Sequence, residues 1–560
     1  MANNIYGAIS LIGGAAGSLD SIDGTGLADK DVALVVVQDD AVYHYVLDAD
    51  SALAESSPQI VTPNANAGDK RWILTRVEGL SDFVNFYGVS WDESADTYVR
   101  TGALAGIAVG SKPLESLLPV QARMRRCVVT DAGVVNYYLC ATDSDLKEDG
   151  VTASVLTGAD GQVMVEIPKF YFRHSYSGTT HTWEVSLLLL PGFQVHPAFI
   201  SGATELNYIY VGAYEGVLYD TSKTAYSGFY KTVAAHAVTV DVDNGSSKGT
   251  ITADAGTPYF GILPGDVIIL SGTADNNGTY IADATTTSSV ITTTTVITGA
   301  DGAEAAAVMT APLDFTATTG DVLSSVSGKV PVSLGTRANF RVIAANRGTG
   351  WTQELYDIRS AVQLLYLTEY ASFNSQSMIG LGICNVTDWI ATNYYPFAHT
   401  GNSDAIGNAS GNTAGAAAGT ASEHDKYMSY RGIEQWYGHL WKWMDGINTN
   451  DNRSYVCNVA ANLADNTTSN YTDIGINNKA DDGYQNTLLN ISRGFLPANT
   501  ADADSTTKIT DYYYQAAGWR VARSGGSAAL ALSDGGFFLN LSGDSANLAA
   551  FIGGRLCYRK

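Results

Sequence analysis

The chain has 560 residues, 45% of them hydrophobic and only 16% charged, with 57 glycines, 32 tyrosines and a net charge of −24. That length exceeds one ordinary core, and few charges among many β-favouring and turn-forming residues point to several β-rich, loop-rich domains. The acidic balance excludes a nucleic-acid binder, which needs cations to displace counterions from phosphate, and no run reaches the roughly 18–20 apolar residues of a membrane helix.

The acidic surface serves solubility first, with bound divalent cations as the alternative. Five cysteines, Cys127, Cys140, Cys384, Cys457 and Cys557, form no CxxC and no metal-ligand spacing, so buried free thiols are expected. The opening stretch MANNIYGAISLIGGAAGSLDSIDG has no basic n-region and is broken by Gly and Asp, so a secretory signal is not expected. Residues 1–30 are mildly apolar and glycine-rich, which suits attachment to a partner; a disordered terminus is the alternative.

Residues 31–78 alternate Val, Tyr and Leu runs with polar turns and read as a small β-domain. Residues 79–125 read as a connector. In residues 126–234, RCVVTDAGVVNYYLC places a turn at Asp131-Ala-Gly between two strand-like runs, hence a hairpin. Residues 235–312 change texture to Thr/Val runs punctuated by Asn-Gly and Gly-Asp turns, which predicts an inserted β-sandwich or barrel. Such an insertion costs little when it leaves an exposed loop, because closure entropy grows only logarithmically. Residues 313–560 resume the interrupted domain. Within them, TQELYDIRSAVQLLYLTEYAS (352–372) has helical spacing of Leu355, Ile358, Val362, Leu365 and Tyr370. Residues 400–426, rich in Gly, Ala, Ser and Asn, are expected to form a long exposed loop.

Two blocks near the C-terminus carry the strongest signal. Residues 429–446 read SYRGIEQWYGHLWKWMDG, and residues 518–557 open with GWRVARSGGS and close with GGRLC. Together they resemble the paired signatures of the C-type-lectin-like fold in its formylglycine-generating-enzyme branch. Upstream, Ile-Pro-Lys-Phe-Tyr at 167–171, His-Pro-Ala-Phe at 196–199 and Tyr-Glu-Gly at 214–216 resemble the start of that domain in phage tail proteins. Residues 43–74, from YHYVLD to KRWIL, resemble a module recurrent near the N-terminus of phage tail fibres. The fold class implied is α+β and all-β multidomain: an N-terminal β-domain, then a C-type-lectin-like domain interrupted by the inserted β-sandwich or barrel. The resemblance implies a phage tail fibre or receptor-binding protein of the major-tropism-determinant-like kind, a homotrimer located in the virion tail. Its partners would be a host cell-surface glycan or protein, and other virion tail proteins through the N-terminal region. A structural baseplate or head-decoration component is the alternative.

The same framework hosts enzymes, so the chemistry must be read from residues. Formylglycine-generating enzymes place two copper-binding cysteines shortly after Arg-Gly-Gly-Ser; here no cysteine follows Ser527 until Cys557, and soft thiolate ligands are missing. Iron-dependent relatives need a histidine cluster, and no two of the eight histidines lie closer than seven positions. Gly543-Asp544-Ser545 lacks a downstream histidine to act as base and reads as a turn. Glu434 and Asp445 flank the Trp block but suit structural capping better than glycoside hydrolysis. The expectation is a non-enzymatic binder without catalytic residues, cofactor or metal site. Calcium at DVDNG (241–245) or ADNNG (274–278) is the alternative to plain hairpin turns.

The resemblance assigns Trp441 and Trp443 to core packing rather than sugar stacking, and gives Arg520, Arg523, Gly525 and Gly526 to the framework. Ligand contacts are then expected from the segment between Arg-Ser-Gly-Gly and the chain's end: Asp534, Phe537, Asn540, Ser542, Asp544 and Asn547. The aromatic run Tyr512, Tyr513 and Tyr514 joins them, since Tyr and Asn supply rigid contact area and adaptable hydrogen bonds. Strand alternation would turn half of these toward the core.

Overall fold

A computed structural model describes residues 4–37, 41–66, 68–79, 86–221, 224–226, 231–256, 259, 262, 267–287, 289–311, 320–386, 398–414 and 426–559. The chain divides into two compact units, Met1–Tyr87 and Gly88–Lys560. Strands dominate both, gathered into several separate sheets.

The first unit holds one five-stranded sheet, ordered Ile5–Ala8, Val32–Val37, Ala41–Asp48, Arg71–Gly79, Ile60–Val61. Period-two alternation sorts its residues: Ala33, Val35, Tyr45, Leu47 and Trp72 are fully buried on one face, while Ile5, Leu34 and Val36 stay exposed on the other.

In the second unit, residues expected as a connector instead form a hairpin. Strands Tyr87–Asp92 and Thr97–Gly102 extend a sheet begun by Tyr171–Ser177 and Thr180–Ser186. The Asp131-Ala-Gly turn does join a hairpin, pairing Arg125–Val129 with Val135–Cys140, and Gly133 takes the positive φ of 77° that the turn requires. That hairpin belongs to a seven-stranded sheet in which Leu556–Tyr558 is wedged between Tyr208–Gly212 and Trp351–Gln353. Gly554 stands where the resemblance leads one to expect an aromatic. A Cβ there would lie 2.5 Å from Phe340 Cδ1, so Phe340 fills that space from another element.

The texture change at 235 marks a six-stranded sheet from Lys231–Asp241 to Gly302–Ala311. Its edge strands, Gly278–Ile281 and Val290–Thr292, are joined by the Ala282–Thr293 bridge and by the Asp283 N–H donating to Thr292 O (2.7 Å). The sheet thus closes toward a barrel around Val238, Ile251, Ile268, Leu270 and Ile291. At its turns, Asp243 accepts the amides of Gly245 and Ser247 (both 3.1 Å), and Asn277 accepts that of Thr273 (3.0 Å). These side-chain oxygens are used to close the turns themselves.

Two helices brace the C-terminal half. Helix α1, Arg337–Ala345, starts at a capping box between Thr336 and Asn339. Helix α2, Tyr356–Tyr370, is buried on every side along its 15 residues, and is shorter than the 352–372 expected because Trp351–Gln353 pairs as a strand. Several of its polar groups meet specific partners: Arg359 donates to Trp436 O (2.8 Å) and Gly536 O (3.0 Å), and Glu369 receives Arg431. The low-complexity stretch also departs from expectation. Part of residues 398–414 is buried, at Ala398, Thr400, Ser403, Asp404 and Gly407, where the buried Arg126–Asp404 ion pair (2.8 Å) and the Glu434 carboxylate, accepting from Gly401 N (2.9 Å) and Ser403 N (2.6 Å), hold the chain. Polar side chains here replace the apolar area the segment lacks. The remainder, 415–425, lies outside the described residues.

Candidate functional site

The Trp block lies on strand Trp441–Asn450, at the middle of a sheet ordered Thr472–Asn477, Arg453–Val456, Trp441–Asn450, Trp519–Ser524, Leu539–Gly543, Ile509–Gln515, Gly483–Gln485. Of the two tryptophans that the resemblance assigned to the core, Trp443 is buried and Trp441 is not fully so; Trp436 is buried as well. Trp441 is half-buried, with the Arg523 guanidinium 4.2 Å above its ring. Gly525 and Gly526 both adopt positive φ, 85° and 74°, turning the chain where Asp534 packs against Gly526.

Asp445 lies in an ionic network rather than facing solvent: Arg341 Nε donates to its Oδ2 (2.6 Å), and Gln353 Nε2 does the same (2.9 Å). Glu434 belongs to the separate network around Ser403. Burial raises the Glu434 carboxyl to about 7. Neither carboxylate is exposed. Among the described residues, no group of three or more His, Cys, Asp or Glu side chains converges in metal-binding geometry. One histidine pair does meet across a hairpin: His174 Nε2 lies 3.0 Å from His181 Nδ1.

The sequence-derived contact residues separate sharply by burial. Tyr513, Asp534, Phe537 and Asn540 are buried, so they cannot meet a ligand. Each has an internal duty. Tyr513 donates to Lys479 O (3.0 Å), Asp534 accepts the Ser527 amide (3.1 Å), and Asn540 accepts Arg523 Nη2 (2.9 Å). Phe537 packs edge-on against Phe373, with centroids 4.8 Å apart. Tyr512, Tyr514 and Ser542 are half-buried, while Asp544 and Asn547 are exposed.

The exposed members fall into two groups. Parallel pairing places Tyr513 beside Leu539. Asp544 therefore lies five residues farther along, roughly 17 Å at about 3.3 Å per residue. At that end, Asp544 caps its own turn by accepting the Ala546 amide (2.8 Å), and Ser545 Oγ receives Asn466 Nδ2 (2.7 Å).

At the other end, strand alternation turns Tyr512 and Tyr514 outward on one face, with ring centroids 4.7 Å apart. Antiparallel pairing adds Tyr484, which meets Tyr512 at 5.1 Å and 81°. Reading the sequence missed this third ring, because a neighbour 28 positions away is set only by strand pairing. The Tyr484 hydroxyl shares a 3.0 Å hydrogen bond with Ser533 Oγ. Exposed Asp482 borders the group, fixed by the Gln515 amide donating to its Oδ1 (2.7 Å). Burial, followed by the Asp482 charge, raises the Tyr512 hydroxyl above its ordinary value of 10. The patch continues inward through Phe538, 5.9 Å from Tyr514, to Trp441.

The floor beneath is tied down by hydrogen bonds. Buried Asp511 accepts the Phe537 amide (2.6 Å), and burial raises its carboxyl to about 8. Gly536 is clamped by Arg359 and by Gln363 Nε2 donating to its carbonyl (2.9 Å), while its amide donates to Ser375 Oγ (2.8 Å). The arrangement offers fixed aromatic area with one carboxylate at its border, and no nucleophile–base pair among the described residues of the patch.

No protein-family model matches the chain, and no curated protein matches it. Among solved structures it is similar to the Major Tropism Determinant M1 variant, at 12% identity and a TM-score of 0.19, across 100% of this chain and 99% of that one.

Proposed function

We propose that this chain is a phage virion adhesin, a tail fibre or receptor-binding protein that recognises a host cell-surface ligand non-covalently and performs no catalysis. The observation that carries the reading is the half-exposed patch of Tyr484, Tyr512 and Tyr514 mounted on a buried floor tied by the Asp511–Phe537 hydrogen bond and the contacts of Gly536. Rigid aromatic anchors lose little conformational entropy on binding, which is what a recognition surface needs. The C-type-lectin-like framework, read from the Trp block and the Arg-Ser-Gly-Gly turn, supplies that floor. Ser542, Asp544 and Asn547 form a second, outlying contact region.

In this reading the N-terminal unit attaches to other virion tail proteins through the sheet face that leaves Ile5, Leu34 and Val36 exposed. A homotrimer multiplies individually weak contacts through avidity. The test is purified protein on host cells. Binding that survives in the parent chain and disappears in Tyr512→Ala/Tyr514→Ala supports the adhesin. Binding only to virion proteins would sink it and favour a structural component. Release of reducing ends from host glycan would identify an enzyme.

A further inference from the structure

Resting on the adhesin reading, we propose that the Tyr484–Tyr512–Tyr514 patch receives a lysine side chain of a host surface protein, its stem lying on the rings and its ammonium reaching Asp482. Three features of the patch select this chemistry.

The first is shape. The rings touch, at 4.7 and 5.1 Å, and are inclined by 48° and 81°. No slot separates them, and they share no plane on which a pyranose ring could lie flat. A flexible tetramethylene stem follows such a folded surface, because it bends at every bond.

The second is polarity. A sugar ring brings hydroxyls on several sides and needs several polar partners. Ser533 Oγ is already engaged with the Tyr484 hydroxyl, and Asp482 is the charged group at the border of the rings. One carboxylate beside apolar area matches one ammonium at the end of an apolar stem.

The third is charge. Tyrosine faces carry negative potential that attracts cations, and Asp482 adds a full negative charge. Among the described residues, the Lys and Arg groups that stack on rings lie over other aromatics, such as Arg523 over Trp441 and Arg359 over Trp436. Lys479 is held by Asp481 at 2.9 Å. The chain's net charge of −24 also favours association with a cationic partner.

The test uses the full chain and three probes: N-acetyl-lysine methylamide, the same compound acetylated at Nε, and methyl glucoside, followed by ligand-observed NMR. The lysine compound should bind, weaken at high salt as surface charges are screened, and lose about 2- to 5-fold in affinity in Asp482→Asn. Tyr512→Ala should cost a similar factor of about 2 to 5, and Tyr512→Phe should restore it, since the ring and not the hydroxyl supplies the attraction. Equal binding of the Nε-acetylated compound, or preference for methyl glucoside, would overturn the lysine assignment. Host-cell binding is measured alongside with the same variants. If cells bind through the tyrosines while the lysine probe does not, the ligand class is wrong and the adhesin stands. If the parent chain binds no cells, the adhesin reading itself fails.

Discussion

Replacing Asp445 by Ala should be among the most destabilising single changes in the C-terminal half. The carboxylate is fully buried at the end of the Trp block and accepts from Arg341 Nε (2.6 Å), Arg341 Nη2 (3.1 Å), Gln353 Nε2 (2.9 Å) and Gly446 N (2.8 Å). It also lies 3.8 Å from Arg337, whose side chain is likewise buried. Alanine would leave the Arg337 and Arg341 guanidinium groups sharing the single carboxylate of Asp465. Removing one partner of a buried ion pair costs about 3–5 kcal/mol, against a total domain stability of about 5–15 kcal/mol. Urea unfolding followed by tryptophan fluorescence at pH 7 measures the loss, with Arg341→Ala and the double variant completing a cycle for the coupling. Burial acts to raise the Asp445 carboxyl, but the charges of Arg337 and Arg341 outweigh it and hold the group below 3.8. The unfolded chain therefore takes up this proton more readily than the folded one. The stabilisation is full above about pH 4 and is lost as pH falls through the lower folded value. The gap between parent and Asp445→Ala should accordingly narrow below pH 4. A loss under about 1 kcal/mol at pH 7, or a gap independent of pH, would refute the network's energetic role.

Asp511 should behave in the opposite sense. Its carboxyl is raised from 3.8 to about 8 by burial, so the folded state holds a proton that the unfolded state releases, and stability should fall as pH rises between those values. Asp511→Asn should flatten that slope in thermal unfolding scans from pH 5 to 9. Gly526→Ala should destabilise by about 1–3 kcal/mol, because φ is 74° and the new Cβ would collide with the Asp534 carboxylate; a neutral result in urea unfolding would show that the turn relaxes. Tyr512→Ala/Tyr514→Ala should change stability by only about 1–2 kcal/mol, since both rings are half-buried, while abolishing host-cell binding.

Local rules made part of this molecule legible. Period-two alternation separated Tyr513 from Tyr512 and Tyr514, and the Asp131-Ala-Gly turn announced its hairpin. Helical spacing located α2, though not its start, because Trp351–Gln353 is captured by the C-terminal strand. Composition, which predicted an exposed loop over 400–426, missed the buried Thr400, Ser403, Asp404 and Gly407, since Asp404 and Glu434 anchor that stretch through hydrogen bonds that no hydrophobicity count registers. At the candidate site, Asp534 and Asn540 were expected as contact residues because the resemblance places the ligand face in the segment after Arg-Ser-Gly-Gly. They are buried because Ser527 and Arg523 require acceptors.

The sequence by itself determined the β-rich character, the change to a Thr/Val-rich sheet near residue 235, the glycine turn at 525–526 and the alternation of the tyrosine run. Those depend on neighbours within a few residues, where backbone sterics and side-chain period act directly. Tertiary structure alone decided which face of each strand is covered, brought Tyr484 and Asp482 beside Tyr512 and Tyr514, and set Asp544 apart from them. Such juxtapositions follow from strand order and register, which arise from the packing of the whole sheet and leave no mark at fixed sequence spacing.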